Sequence, residues 1–228
     1  MKRQSEVQSF GTASPSRVRI KICGLTRSED ASLALSLGAD YLGFIFAKSP
    51  RQVSPETAEA IAHALEIAKS ADRSIVERVG VFVNAGQGFI ESTARQASLT
   101  MLQLHGDEDP EFCTHFELPV IKALRIRDRG IFELVDRYST PYILLEPYVG
   151  GRYGGTGVQA NWKLAAELVL NFPQRRFFLA GGLGAENVLA AISTVQPFAV
   201  DASSALESSP GVKDRQKLKT FIEAVRNG

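Results

Sequence analysis

Two side chains at the ends of β-rich runs have the types needed to move protons on a substrate, Cys23 and Glu146. A thiolate takes a proton and a carboxylic acid gives one, so together they form a candidate base and acid. A free thiol titrates near about 8.5 and must be tuned to work near neutrality. Lys21 lies on the same face of its run as Cys23 and could favour the thiolate. Each also has a structural reading: Cys23 as a small buried hydrophobe, and Glu146, followed by Pro147, as a rim residue in a salt bridge. For Lys21, Gln103 and Lys122, pairing with one another inside a barrel interior is at least as good a reading as a direct catalytic role. Cys113, within a helix-like stretch, reads as structural.

Two turns could hold an anion. Ala180-Gly181-Gly182-Leu183 precedes a helix-like stretch, and Asp201-Ala202-Ser203-Ser204 ends another β-rich run. Glycine lets the backbone approach a phosphate closely, and free N–H groups at such turns bind it. One such turn could equally be a tight connection, but two on adjacent strands favour phosphate. Arg51, in Ala47-Lys48-Ser49-Pro50-Arg51, carries a planar guanidinium suited to a carboxylate. Without context it reads as a solvated loop cation. Asn84 and His105 are open in the same way. No Cys/His cluster has zinc spacing, so no metal is expected, and no GxGxxG opens a helix after a strand.

These residues need a scaffold that brings distant strand ends together. Short β-rich runs alternate with helix-like stretches eight times along the chain. The runs are Val18–Cys23, Tyr41–Phe46, Arg78–Val83, Met101–Leu104, Val120–Leu124, Tyr142–Glu146, Arg176–Ala180 and Phe198–Asp201. The helix-like stretches include Glu29–Leu37, Pro55–Lys69, Phe89–Ala97, Pro110–Phe116, Asp128–Tyr138, Trp162–Leu170, Ala185–Val195 and Asp214–Val225. Ser54-Pro55-Glu56 and Asp109-Pro110-Glu111 supply an N-cap followed by proline at the first helical position. The pattern predicts an α/β fold, a (β/α)8 TIM barrel, with an open doubly wound sheet as the alternative. In the first run Val18, Ile20 and Ile22 should pack under helices while Lys21 and Cys23 face the barrel interior. Such barrels carry their active sites at the C-terminal ends of the strands, where Cys23, Arg51, Glu146 and Asp201 all fall.

The 228 residues suit one domain over 17–228, after a flexible lead-in over 1–16. Apolar residues at 44% are enough for a core, and charged residues at 22% argue against global disorder. A net charge of +1 gives no field for nucleic acid or anionic membranes. No apolar run approaches the roughly 18 residues of a spanning helix, and the lead-in lacks the apolar stretch of a secretory signal. With Cys23 and Cys113 read as free thiols, a cytoplasmic protein is expected.

The motifs, taken in order, resemble those of the phosphoribosylanthranilate isomerase family. They run through Lys21-Ile22-Cys23-Gly24-Leu25-Thr26, Gly38-Ala39-Asp40, Gly43-Phe44-Ile45-Phe46, Ser49-Pro50-Arg51, Val79-Gly80-Val81-Phe82-Val83-Asn84, Gln103-Leu104-His105-Gly106 and Ile121-Lys122-Ala123. They continue through Gly154-Gly155-Thr156-Gly157, Ala180-Gly181-Gly182-Leu183, Glu186-Asn187-Val188, Val200-Asp201-Ala202-Ser203-Ser204 and Pro210-Gly211-Val212-Lys213-Asp214. The resemblance covers nearly all of the chain after the lead-in.

It implies a cofactor-free Amadori rearrangement of N-(5-phosphoribosyl)anthranilate in tryptophan biosynthesis, in a monomer or homodimer. It assigns Cys23 as general base and Arg51 as the holder of the anthranilate carboxylate. Gly181-Gly182 and Ser203-Ser204 become the phosphate site, and Asp201 an active-site carboxylate near the sugar. Two positions depart from the family pattern. The general acid is usually an aspartate ending the sixth strand, where this chain has Glu146, and Ala205 replaces a frequent glycine. The glutamate keeps an alternative open, a weakly active or non-catalytic phosphosugar-binding barrel. Another is a second phosphosugar isomerase of the same fold, such as the aminoimidazole ribotide isomerase, whose paired aspartates Cys23 disfavours.

Overall fold

Every one of the expected β-rich runs is a strand, and the strands pair in parallel in chain order until the first meets the last. The computed structural model describes residues 17–68, 76–148 and 161–228. The strands are β1 (Arg19–Cys23), β2 (Tyr41–Ile45), β3 (Glu77–Phe82), β4 (Met101–Leu104), β5 (Val120–Ile126), β6 (Tyr142–Pro147), β7 (Arg176–Leu179) and β8 (Ala199–Ala202). Closure pairs Arg19 with Ala199 and Lys21 with Asp201. This closed barrel excludes the open doubly wound sheet. The lead-in over 1–16 and the Gly154–Gly157 motif lie outside the described residues.

Period-two alternation sorts the strand residues into two cores. Ile20, Ile22, Leu42, Phe44, Leu102 and Leu104 face outward under the helices. Inside, Tyr41, Val79, Met101, Ile121, Leu144 and Phe178 fill the lower barrel. Tyr41 meets Phe178 edge-on at 5.1 Å between centroids, and Phe178 meets Phe198 at 5.6 Å. The lower barrel is thus a packed floor, and only the C-terminal strand ends are open for polar groups.

The outer layer is α1 (Ser28–Leu37), α2 (Pro55–Ala68), α3 (Gln87–Gln96), α4 (Ile131–Arg137), α5 (Trp162–Asn171), α6 (Val188–Val195) and α7 (Arg215–Asn227). Ser54 Oγ caps α2 by accepting from the Thr57 amide at 3.2 Å, as its sequence predicts. Arg226 of α7 donates to the carbonyls of Val18 and Gly38 and to Asp40 Oδ2, tying the last helix to the entry of β1 and β2. Among the described residues no helix is long and apolar enough to cross a membrane.

Two expectations are corrected. Pro110–Phe116 is no α-helix but holds one 3-10 turn, Phe112–Thr114. The loop ahead of it is drawn inward, because the Glu108 carboxylate accepts from the Asn84 and Gly106 amides at 2.8 and 2.9 Å. Lys122, expected among the interior polar residues, points outward. Its Nζ lies 2.6 Å from Glu108 Oε2 and also donates to the Gly106 carbonyl at 2.8 Å. Its neighbours Ile121 and Ala123 belong to the inner core and Val120 and Leu124 to the outer one, so alternation sends Lys122 out.

Candidate active site

The upper barrel opens into a cavity of about 580 Å³. Cys23, Arg51, Glu146, Gly181, Gly182, Asp201, Ser203 and Ser204 all line it. The fold therefore gathers these eight residues in one place, although they are spread across 182 positions, from 23 to 204, whereas Asn84 does not line the cavity.

Cys23 ends β1 with its thiol facing inward, in no disulfide and buried. Beneath it Lys21 Nζ donates to Asp201 Oδ1 at 3.0 Å. Lys21 is fully buried. Burial works against its charge, but Asp201 and Cys23 outweigh that and raise its pKa above the ordinary lysine value. Burial pushes the Cys23 thiol up; Lys21 and Lys213 oppose this and Asp201 adds to it. The expectation that Lys21 would favour the thiolate is right in sign but outweighed by desolvation.

Glu146 ends the inward face of β6 and is 5% exposed. Opposite it, His105 follows β4. Gln103 Nε2 lies 2.6 Å from His105 Nδ1, within hydrogen-bond distance, and leaves the other ring nitrogen, Nε2, towards Glu146. That nitrogen stands 3.0 Å from Glu146 Oε1, in ion-pair range but off the line of a hydrogen bond. Gln103 and His105 both line the cavity. Gln103 Oε1 is buried and without a partner among the described residues.

The two turns stand side by side after β7 and β8. Gly181 and Gly182 have φ of 103° and 61°, the left-handed region that side chains disfavour. Asn187 staples this turn: its Nδ2 donates to the Gly182 carbonyl and its Oδ1 accepts from the Gly184 amide, both at 2.9 Å. This is why α6 starts at Val188 and not at the expected Ala185. The amides of Gly182, Ser203 and Ser204 have no protein acceptor among the described residues. Ser204 opens a 3-10 turn, Ser204–Leu206, and Ala205 at the departing position still lines the cavity.

Arg51 is not a solvated loop cation. Its stem lies over Gly24, where φ is +74° and an added Cβ would fall 2.6 Å from Arg51 Cδ. Its Nε donates to Glu207 Oε1 at 2.8 Å and its Nη2 to Glu207 Oε2 at 2.8 Å. Glu207 opens a small hairpin, β9 (Glu207–Ser209) and β10 (Val212–Lys213), which follows the 3-10 turn. Lys213 Nζ donates to Glu207 Oε1 at 2.9 Å, to the Cys23 carbonyl at 2.7 Å and to the Ser203 carbonyl at 3.2 Å. Sequence reasoning gave neither Glu207 nor Lys213 a role. The Pro210-Gly211-Val212-Lys213-Asp214 motif marks the hairpin, but nothing in it shows which strand end the lysine would reach.

The whole arrangement is that of a known family. The model for N-(5'-phosphoribosyl)anthranilate (PRA) isomerase matches residues 20–224. The chain belongs to this family. It is 43% identical over 210 residues to the N-(5'-phosphoribosyl)anthranilate isomerase of Geobacter sulfurreducens, covering 92% of this chain and 98% of that one. Against the enzyme of that name from Pseudomonas fluorescens it is 44% identical, covering 93% and 97%. The solved phosphoribosyl anthranilate isomerase of Thermotoga maritima superposes with a TM-score of 0.80 at 37% identity, covering 92% of this chain and 100% of that one. A phosphoribosyl anthranilate isomerase in complex with reduced 1-(o-carboxyphenylamino)-1-deoxyribulose 5-phosphate superposes at 0.76 with 37% identity, again covering 92% and 100%.

Proposed function

We propose that this cavity carries out the Amadori rearrangement of N-(5-phosphoribosyl)anthranilate to 1-(2-carboxyphenylamino)-1-deoxyribulose 5-phosphate, the tryptophan-pathway reaction its family is named for. The observation that carries the residue roles is the convergence of Cys23, Glu146 and Asp201 on the space between two glycine- and serine-bearing turns and Arg51. Phosphate at the Gly181-Gly182 and Ser203-Ser204 amides would hold one end of the substrate. The carboxylate at Arg51 would hold the other. Binding at both ends fixes the sugar carbons between base and acid.

Glu146, protonated, donates to the furanose oxygen as the ring opens to an iminium. Cys23, as thiolate, takes the proton from C2 and leaves an enolamine, which tautomerises to the ketone. Asp201 would face the sugar, and Lys21 below would balance the thiolate charge, which is lost as Cys23 takes the proton. The nitrogen lone pair of the substrate drives the C–O cleavage and the remaining steps are proton transfers with no net redox change, so the chain's own residues suffice.

The relative from Thermotoga maritima is described as dimeric; for this chain a homodimer or a monomer is to be separated by light scattering. A cytoplasmic enzyme with a small-molecule substrate, without nucleic acid or membrane, is the accompanying proposal. So is a single domain over 17–228. A steady-state assay with the anthranilate ribotide tests the function directly. The approach of His105 to Glu146 favours one second reading, a binding barrel whose acid is held out of use. Saturable ligand binding without product would establish it.

A further inference from the structure

Glu207 and Lys213 lie behind the cavity wall, are almost fully buried, and take no part in the proton transfers just described. Burying a carboxylate with two cations is costly unless close pairing and further hydrogen bonds offset the lost hydration. Here the carboxylate is fully engaged. Arg51 grips it through Nε and Nη2, and Lys213 grips the same oxygen that Nε prefers. A guanidinium has five N–H donors. Glu207 occupies the Nε edge, so the Nη1–Nη2 edge is left as a second fork of the geometry that a planar carboxylate takes. Two cations and one carboxylate also leave the cluster with one positive charge, which a single bound carboxylate would neutralise. Burial works against the charge of Glu207, yet Arg51 and Lys213 hold its carboxyl below the usual range, so it is a permanent anion at working pH.

We propose that Glu207 is the positioning residue that fixes Arg51 in the rotamer which presents its Nη1–Nη2 edge to the ring carboxylate of the substrate, and so sets the preference for a carboxylate-bearing aromatic amine. The proposal rests on the phosphoribosylanthranilate reading of the same cavity. Through Lys213, the anchor of Glu207 is the backbone that also carries Cys23 and Ser203. The carboxylate subsite is thereby registered against both the base and the phosphate turn. Glu207 touches no reacting atom; it acts through Arg51.

The test compares kcat/KM for N-(5-phosphoribosyl)anthranilate and for N-(5-phosphoribosyl)aniline, which lacks the carboxylate. Four proteins are used: wild type, Glu207→Gln, Arg51→Ala and the double variant. Glu207→Gln keeps the shape of the side chain and removes its charge. It should lose roughly 10-fold or more on the anthranilate substrate, the scale of a small misplacement, and less than about 3-fold on the aniline substrate. In the Arg51→Ala background it should cost nothing further, as expected when one residue works through the other. Should Glu207→Gln not fold, Glu207→Asp serves. It keeps the charge but is too short to span both guanidinium nitrogens, and the same substrate-selective loss is expected. Equal losses on both substrates, or additive losses in the double variant, would show a structural role and overturn the proposal. Wild type inactive on both substrates would overturn the functional reading instead, and this proposal with it.

Discussion

His105 Nε2 and Glu146 Oε1 stand 3.0 Å apart across the mouth of the barrel. The carboxyl of this glutamate therefore sits further from its own strand than an aspartate's would, next to the imidazole that Gln103 orients. An aspartate at 146 would draw the carboxyl back by about 1.5 Å, the length of one carbon–carbon bond. We expect Glu146→Gln to lose roughly 10²–10⁴-fold in kcat with KM little changed, because the amide has no transferable proton. Glu146→Asp should fall between the two. The readout is steady-state kinetics on the anthranilate ribotide. An active Glu146→Gln would move the acid role elsewhere, with Asp201 the first candidate.

Cys23→Ser should lose roughly 10²–10⁴-fold in turnover while still binding the reduced product analogue. Cys113→Ser should be nearly silent, since Cys113 is buried in the 3-10 turn after β4, away from the cavity.

The thiol titration carries its own prediction. Burial raises Cys23 above the ordinary thiol value, and burial pushes Cys113 up to about 11. Alkylation by iodoacetamide follows the thiolate, so the Cys23 inflection should lie on the alkaline side of a free cysteine. Lys21 lowers the Cys23 value against burial. Removing that cation in Lys21→Met should therefore move the inflection further up. A shift towards acid would refute the charge assignment. Mass spectrometry of the alkylated peptides separates the two cysteines.

The phosphate turns can be tested without substrate chemistry. Inorganic phosphate and sulfate should compete with the anthranilate ribotide, because both are oxyanions for the free amides at Gly182, Ser203 and Ser204. Gly182→Leu should mainly raise KM, since φ of 61° is strained for a side chain that also fills the cavity. An unchanged KM together with no competition would place the phosphate elsewhere.

On the outer face, Lys122→Met should destabilise the fold by about 3–5 kcal/mol, as it strands the buried Glu108 carboxylate. Urea denaturation measures this. A change below about 1 kcal/mol would mean that the two amides held by Glu108 suffice for it.

Much of this architecture was legible because alternation and strand-to-helix spacing are local signals. Lys21 and Cys23 face inward as their period demands, and Ser54 caps α2 as its type demands. Lys122 was misplaced because its charge suggested a barrel interior, whereas the period of Ile121 and Ala123 already pointed the other way. The Pro110–Phe116 helix failed because the inward pull on Glu108 is a long-range effect. Glu207 and Lys213 were illegible for a related reason. Their partners Arg51 and Cys23 lie more than 150 positions earlier, and only closure of the barrel brings them together.

Closure also orders events during synthesis. β1 has its interior partner, Asp201, and its pairing neighbour β8 only after some 180 further residues have been joined. A chain emerging from the ribosome at about 5–20 residues per second thus exposes one open edge of its first strand, and the buried lysine on it, for roughly ten seconds or more. The charged Arg19 and Lys21 on that edge discourage pairing with another nascent chain until the proper neighbour arrives.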